Sequence, residues 1–166
     1  MTTKDNLKDA FAGESQANRK YLAYGEKATK DGKTQVAKLF RAVAAAETIH
    51  AHAHLRALGG VQDTVANLED AIAGEKFEFT EMYPGYVETA QAEGDKKAAL
   101  SMKYAMDVEV VHHELFTSAL DAVKAGGDLA EAPVYLCAVC GHTVIGDAPD
   151  RCPVCNAKKE KYGEIV

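Results

Sequence analysis

The sequence predicts an all-α four-helix bundle followed by a small metal-bound domain of strands and loops. Apolar residues recur every three or four positions through about residue 125, which is the period of an α-helix. All four cysteines lie beyond that region, between Cys137 and Cys155. Gly126-Gly127 separates the two parts, and three of the four prolines follow it. We therefore expect a helical domain over 1–127, a linker over 128–133 and a second domain over 134–166.

Composition limits the partners that the chain can have. The 166 residues are 47% hydrophobic and 27% charged, as in ordinary globular proteins. No run of eighteen apolar residues is present, so we expect no membrane partner. The formal net charge of −6 argues against a nucleic-acid partner. Because the N-terminus lacks a basic region followed by an apolar run, we expect a cytoplasmic protein whose thiols stay reduced.

Start and stop signals divide the helical region into four helices, with threonine or aspartate near the starts and glycine near the ends. These helices are predicted to run from Thr2 or Thr3 to Asp31-Gly32, from about Thr34 to Leu58, from about Thr64 to Glu93, and from Asp95 to Gly126-Gly127. Pro84 lies inside the third helix and is expected to kink it, because proline has no N–H to donate. Four long helices of this kind predict a four-helix bundle.

The predicted inner faces of the helices carry acidic residues and histidines. Glu14, for example, lies in the middle of an apolar stripe that includes Leu7 and Phe11. An ionised carboxylate inside a bundle costs several kcal/mol unless it is paired or coordinated. The residues on these stripes are Glu14, Glu47, His50, Glu78, Glu81, Glu109 and His112. So many buried carboxylates need a common counter-charge, and metal ions would supply it.

An internal repeat organises these residues. Each half of the helical region supplies one glutamate from one helix and a Glu-x-x-His motif from the next. The first set is Glu14, Glu47 and His50, and the second is Glu78, Glu109 and His112; Ala73-Gly74-Glu75 also echoes Ala12-Gly13-Glu14. One Glu-x-x-His motif usually marks a solvated face, but two copies with glutamate partners match the ligand pattern of a two-iron carboxylate site. The three-residue spacing puts both ligands on one face, and carboxylates can bridge two cations.

The tail contains two Cys-x-x-Cys knuckles, Cys137 with Cys140 and Cys152 with Cys155. Paired knuckles predict one tetrahedral Cys₄ site. Gly141 and Asn156 follow the knuckles and tolerate a positive φ, which lets backbone N–H groups turn toward the sulfurs. The spacing alone leaves the metal open, because tetrahedral thiolate sites hold either zinc or iron.

With these motifs in place, the chain resembles the rubrerythrin family over essentially its full length. The matching segments are Gly13-Glu14-Ser15, Glu47-x-x-His50, Gly74-Glu75, Glu78-x-x-Glu81-Met82-Tyr83-Pro84, Glu109-x-x-His112 and the terminal cysteine pairs. The resemblance implies a ferritin-like di-iron domain followed by a rubredoxin-like Fe(Cys)₄ domain. It also implies a peroxidase that reduces hydrogen peroxide to water and is re-reduced, one electron at a time, by a reductase or small redox protein.

The resemblance also implies roles for individual residues. The implied iron ligands are Glu14, Glu47, Glu78, Glu81, Glu109 and His112, with His50 exchanging with Glu81 as one iron changes oxidation state. Tyr21 and Tyr86 are the implied site tyrosines. The same resemblance favours iron over zinc in the tail, with zinc as a substitute.

The connection between the second and third helices is short for this fold. A ferritin-like bundle runs these helices parallel, so the link must return along the bundle. From Leu58 to the start of the third helix, about six to eight residues span at most roughly 20 to 28 Å, against a gap of roughly 30 Å. We therefore predict a homodimer in which the first two helices of one chain pair with the last two of another.

Two other functions stay open at this point. A ferroxidase or oxygen reductase would use the same metals on O₂, because both O₂ and peroxide bind to open positions on ferrous iron. A non-enzymatic helical scaffold with a zinc ribbon would leave the glutamates on the apolar stripes unexplained.

Overall fold

The computed structural model describes all residues, 1–166, as a mostly helical chain with a small three-stranded tail. The helices are α1 (Thr3–Lys30), α2 (Thr34–Ala57), α3 (Thr64–Phe77), α4 (Tyr83–Ala92) and α5 (Lys96–Lys124). The strands are β1 (Val134–Cys137), β2 (Thr143–Ile145) and β3 (Tyr162–Ile165). A π-helical turn, Glu78–Met82, joins α3 and α4 into one long segment. The predicted fold class is thus confirmed, with four long helical segments followed by the small domain.

The chain divides into two compact units, Met1–Gln62 and Asp63–Val166. The first unit is the hairpin of α1 and α2. The second contains the α3–α4 segment packed on α5, together with the tail, whose strand β2 contacts α5. The domain boundaries predicted from the sequence stay a prediction. None of the helices is both long and apolar enough to cross a membrane.

Small residues bring α1 and α2 close together. Ala37, Ala44 and Ala51 are spaced by seven residues and are 0%, 0% and 6% exposed. Asn18 on α1 is also buried, and its amide donates hydrogen bonds to the Ala44 carbonyl (2.7 Å) and the Thr48 hydroxyl (2.8 Å). A buried amide needs such partners, because leaving it unpaired costs about 1 to 3 kcal/mol. This contact between α1 and α2, which we call the seam, determines which face of α2 packs on α1 and which face is turned away from it.

The third predicted helix is interrupted just before Pro84. Tyr83 donates its backbone N–H to the Glu78 carbonyl, five residues back, which closes a π-helical turn. In a regular α-helix the proline ring would clash with the carbonyl four residues earlier, and that carbonyl would lose its donor. The structure therefore has a π-helical turn where the sequence predicted a kink, and the helix continues beyond it.

The tail is a three-stranded antiparallel sheet in the order β2-β1-β3. Its buried residues are Cys137, His142, Ala148 and Cys152. Few apolar side chains are therefore buried, and the cysteines themselves form the centre of this domain. Domains this small usually need a metal or a disulfide for stability.

Candidate metal centres

We call a cluster of two carboxylates and one imidazole a half-site. The first half-site lies between α1 and α2. Ligand atoms of Glu14, Glu47 and His50 all lie within 4.8 Å of one another. The Nδ1 atom of His50 is 2.9 Å from Glu47 Oε2 and 3.6 Å from Glu14 Oε1. The three-residue spacing on α2 puts Glu47 and His50 on one face, and α1 supplies the second carboxylate. All three residues were predicted together from the sequence.

The second half-site has the same composition and lies between α3 and α5. Ligand atoms of Glu75, Glu109 and His112 also lie within 4.8 Å of one another. The Nδ1 atom of His112 is 2.7 Å from Glu109 Oε2 and 3.9 Å from Glu75 Oε1. Burial raises the pKa of Glu75, and a hydrogen bond with the Glu109 carboxyl raises it further. Two ionised carboxylates this close together repel each other, and a bound cation would offset that repulsion.

The distances within the half-sites fit metal coordination. Two ligand atoms that each lie about 2.1 Å from one ion are about 3 Å apart when the angle between them is near 90°. The closest nitrogen–oxygen pairs, at 2.9 Å for His50 with Glu47 and 2.7 Å for His112 with Glu109, are near that value. A set of two carboxylates and one imidazole suits iron, and the protein contains two such sets. These are carboxylate–histidine sites of the di-iron kind.

Glu75 is a ligand candidate that was not predicted from the sequence to be a ligand. It takes the place in the second half-site that was assigned to Glu78, and the structure does not bring Glu78 or Glu81 into that cluster. Glu78 is half-buried nearby, and burial followed by the charge of Glu75 raises its pKa. Glu81 is exposed. The echo of Ala12-Gly13-Glu14 in Ala73-Gly74-Glu75 was the signal for Glu75, whereas the ligand roles of Glu78 and Glu81 stay predictions.

Tyr83 lies near the carboxylates of the second half-site. Burial raises the pKa of its phenol, and the charges of nearby glutamates, first Glu78, raise it further. Tyr86 is 52% exposed, with its ring edge-on to that of Tyr83 at a centroid distance of 6.4 Å. Tyr21 is half-buried and packs against Phe40 at 6.2 Å. The site roles assigned to Tyr21 and Tyr86 stay predictions; Tyr83 was within the Met-Tyr-Pro segment already noted.

The four cysteines form one cluster, as predicted. The Sγ atoms of Cys137 and Cys155 are 3.7 Å apart, and those of Cys140 and Cys152 are 3.5 Å apart. Four sulfurs placed tetrahedrally at about 2.3 Å from one ion would be about 3.8 Å from one another. The geometry therefore fits a single ion held by four thiolates.

Backbone N–H groups surround this cluster because of two left-handed residues. Gly141 and Asn156 have φ of 89° and 59°, and each directly follows the second cysteine of a knuckle. The next residue in each case, His142 or Ala157, donates its N–H to that cysteine's sulfur. Hydrogen bonds of this kind stabilise thiolates and influence the reduction potential of a bound iron.

The thiols differ in their ease of ionisation. Burial raises the pKa of Cys140. At Cys152 burial acts in the same direction, but the N–H groups of Cys155 and Val154 and the Tyr162 hydroxyl outweigh it and lower the pKa to about 6. Four neighbouring thiolates are therefore expected only with a cation at their centre.

The tail contacts the second half-site directly. The Nε2 atom of His112 lies 3.3 Å from the Gly141 carbonyl oxygen and 3.3 Å from the Thr143 hydroxyl. These contacts lie within the unit Asp63–Val166. Only the backbone of Gly141 separates the Cys140 knuckle from a histidine of the carboxylate cluster.

Comparisons with known proteins agree with both sites. The family model described as Rubrerythrin matches residues 5–120, and the model for the rubrerythrin rubredoxin-like domain matches residues 135–163. The chain is 36% identical to Rubrerythrin-2 of Clostridium acetobutylicum, over 96% of this chain and 95% of that protein. It is 34% identical to Nigerythrin of Nitratidesulfovibrio vulgaris, over 97% and 85%. A solved structure of nigerythrin in a partially reduced state superposes with a TM-score of 0.60 at 31% identity, covering 99% of this chain and 87% of the other.

Proposed function

Because this chain belongs to the rubrerythrin family, we propose that it is a peroxidase that reduces hydrogen peroxide to water in defence against oxidative stress in the cytoplasm. The observation that carries the proposal is the repeated set of two carboxylates and one imidazole, with the cysteine cluster beside one of them. Iron storage would need no such redox partner.

The residues divide the chemical work between metal binding and proton supply. The proposed ligands are Glu14, Glu47, His50, Glu75, Glu109 and His112, with Glu78 and Glu81 as further ligands. Two ferrous ions bound there would supply the two electrons that convert peroxide and two protons into two waters. Burial raises the pKa of the Tyr83 phenol, so Tyr83 holds a proton beside the carboxylates and is the proposed proton donor. Burial also raises the pKa of the nearby Glu78 carboxyl. Tyr21 and Tyr86 complete the proposed set of site residues.

Electrons are proposed to enter through the cysteine tail from a reductase or small redox protein. Iron held by Cys137, Cys140, Cys152 and Cys155 would accept them one at a time. The 3.3 Å contact between the Gly141 carbonyl and His112 supports delivery to the half-site on the same chain's α5.

The proposal includes a homodimer in which each di-iron site combines half-sites from two chains. Each compact unit carries one half-site. On α2, Val36 and Leu39 share the helical face of the ligands by their spacing, yet they are 47% and 63% exposed. An apolar face that also carries metal ligands needs a covering partner. The short segment between α2 and α3 supports a partner from a second chain.

The first test is metal content per chain, with a visible spectrum, on anaerobically prepared full-length protein. We expect about three irons per chain, two at carboxylates and one at thiolates, with a red colour that bleaches on reduction. The reduced protein is then mixed with peroxide or with O₂, and peroxide should oxidise it faster. Faster oxidation by O₂ would favour the oxygen reductase or ferroxidase. One zinc per chain, with no iron taken up when it is offered, would favour the scaffold.

A further inference from the structure

The imidazole of His112 is held from both sides. Its Nδ1 atom faces Glu109 at 2.7 Å, while its Nε2 atom is shared between the Gly141 carbonyl and the Thr143 hydroxyl, at 3.3 Å each. Thr143 also donates its own hydroxyl hydrogen to the Gly141 carbonyl, at 3.1 Å. The Nε2 atom of His112, the Gly141 carbonyl and the Thr143 hydroxyl therefore form a closed triangle of contacts. This triangle lies on the side of the ring away from the carboxylates.

The directions of these hydrogen bonds determine which nitrogen carries the proton. A carbonyl oxygen can only accept, and the Thr143 hydroxyl has already used its hydrogen on Gly141. Both neighbours of Nε2 are therefore acceptors, so Nε2 must carry the hydrogen. The lone pair of the neutral ring then lies on Nδ1, which faces Glu109 and Glu75. This is the tautomer that can bind a metal between the ring and the carboxylates.

The backbone around the cysteine knuckle holds the triangle in place. Gly141 has a positive φ, and a Cβ built on it would lie 3.9 Å from the side chain of Val108 on α5. Thr143 begins strand β2, where it pairs with Leu136 of β1. The position of the Thr143 hydroxyl thus depends on the knuckle and the sheet.

The two half-sites differ in how far their histidines are shielded from solvent. The side chain of His112 is 26% exposed, whereas that of His50 is 54% exposed. Their carboxylate partners Glu109 and Glu47 are equally shielded, at 14% each. The repeat therefore supplies matching ligands, and within the second unit the tail also supports the imidazole of His112.

From this geometry we infer that Thr143 is a positioning residue of the metal centre, which accepts the Nε2–H of His112 and so keeps Nδ1 directed at the metal. The inference rests on the proposed function, because it assigns Thr143 to the same site. It gives the tail a role in metal binding besides electron delivery. Groups that support a metal-bound histidine in this way typically change metal affinity 10- to 100-fold.

The test measures metal affinity in the full-length protein. One equivalent of Zn²⁺ first fills the thiolates, and Co²⁺ is then titrated into the carboxylate sites while its visible absorption is followed. Thr143→Val keeps the branched shape but removes the acceptor, and we expect about tenfold weaker Co²⁺ binding. Thr143→Ser restores the hydroxyl and should restore the affinity. Thr117→Val is the matched control, because it removes another half-buried hydroxyl, one that donates to the His113 carbonyl on α5.

Each result of the titration either supports or overturns the inference. Weak binding in Thr143→Val, with wild-type binding in Thr143→Ser and Thr117→Val, supports it. Equal affinity of Thr143→Val and the wild type overturns it, as does a serine variant as weak as the valine variant, since loss of packing alone would then explain both. If the wild-type protein binds no Co²⁺ at its carboxylates, the proposed function itself fails and the positioning role fails with it.

Discussion

At the residue scale, burial separates three glutamates that follow one another at three-residue spacing on the third helical segment. Glu75 lies in the cluster with Glu109 and His112, Glu78 is half-buried beside it, and Glu81 is exposed. A carboxylate binds a metal ion strongly only where a second and a third ligand are already in place. Of the three glutamates, Glu75 is therefore favoured as a metal ligand.

The variant Glu75→Gln should therefore lose most of the iron bound at carboxylates while the red colour of the tail remains. Removal of a direct ligand should weaken binding by at least about tenfold, since even supporting groups have effects of that size. Iron per chain and the visible spectrum are the measurements. Glu88→Gln, at an exposed position on α4, is the matched control and should keep its iron; a loss in Glu88→Gln without one in Glu75→Gln would show that the assignment of Glu75 is wrong.

At the scale of elements, the contact between α1 and α2 depends on small side chains. Ala44 is 0% exposed and its carbonyl accepts from the buried Asn18, whereas Ala45, one residue along, is exposed. The close approach of the two helices also brings Glu14 of α1 to Glu47 and His50 of α2. Packing in this seam therefore sets the geometry of the first half-site.

Ala44→Leu should destabilise the protein by about 1 to 3 kcal/mol, because extra methyl groups do not fit a closely packed seam. Urea unfolding at a fixed metal concentration, followed by circular dichroism, measures the change. Ala45→Leu adds the same atoms to an exposed position and should change the free energy of unfolding by less than about 0.5 kcal/mol. Similar losses in both variants would contradict the importance of the seam.

At the scale of the whole molecule, the question is which chains supply the two halves of one di-iron site. The compact units Met1–Gln62 and Asp63–Val166 carry one half-site each. In a helix-swapped homodimer, every site takes one half from each chain. Two inactive variants with different damaged halves can then complement each other.

Co-expression tests this with Glu47→Ala/His50→Ala and Glu109→Ala/His112→Ala as separately tagged chains. In a swapped heterodimer one site receives both damaged halves and the other receives both intact halves. The doubly tagged fraction, which contains only heterodimers, should then show about half of the wild-type number of di-iron sites, measured as iron and peroxide turnover. Each variant expressed alone should show none. Heterodimers without any restored site would show that each chain builds its own centre.

The sequence by itself determined the features that depend on neighbouring residues. Helix ends at Lys30, Ala57 and Lys124 follow from caps and glycines, and the Glu-x-x-His and Cys-x-x-Cys spacings place their ligands on one helix face or in one knuckle. These are short-range effects, so spacing alone predicted that Glu47 lies beside His50 and that each cysteine pair forms one knuckle.

Only the tertiary structure decided between residues that share a helix face. Glu75 and Glu78 are three residues apart, so either could face α5, and the packing of α3 on α5 brought Glu75 into the cluster. The contact of His112 with Gly141 and Thr143 likewise joins a helix to a strand about thirty residues later. Periodicity gives the direction of a side chain around its own helix, but the distance to another element depends on how the two elements pack.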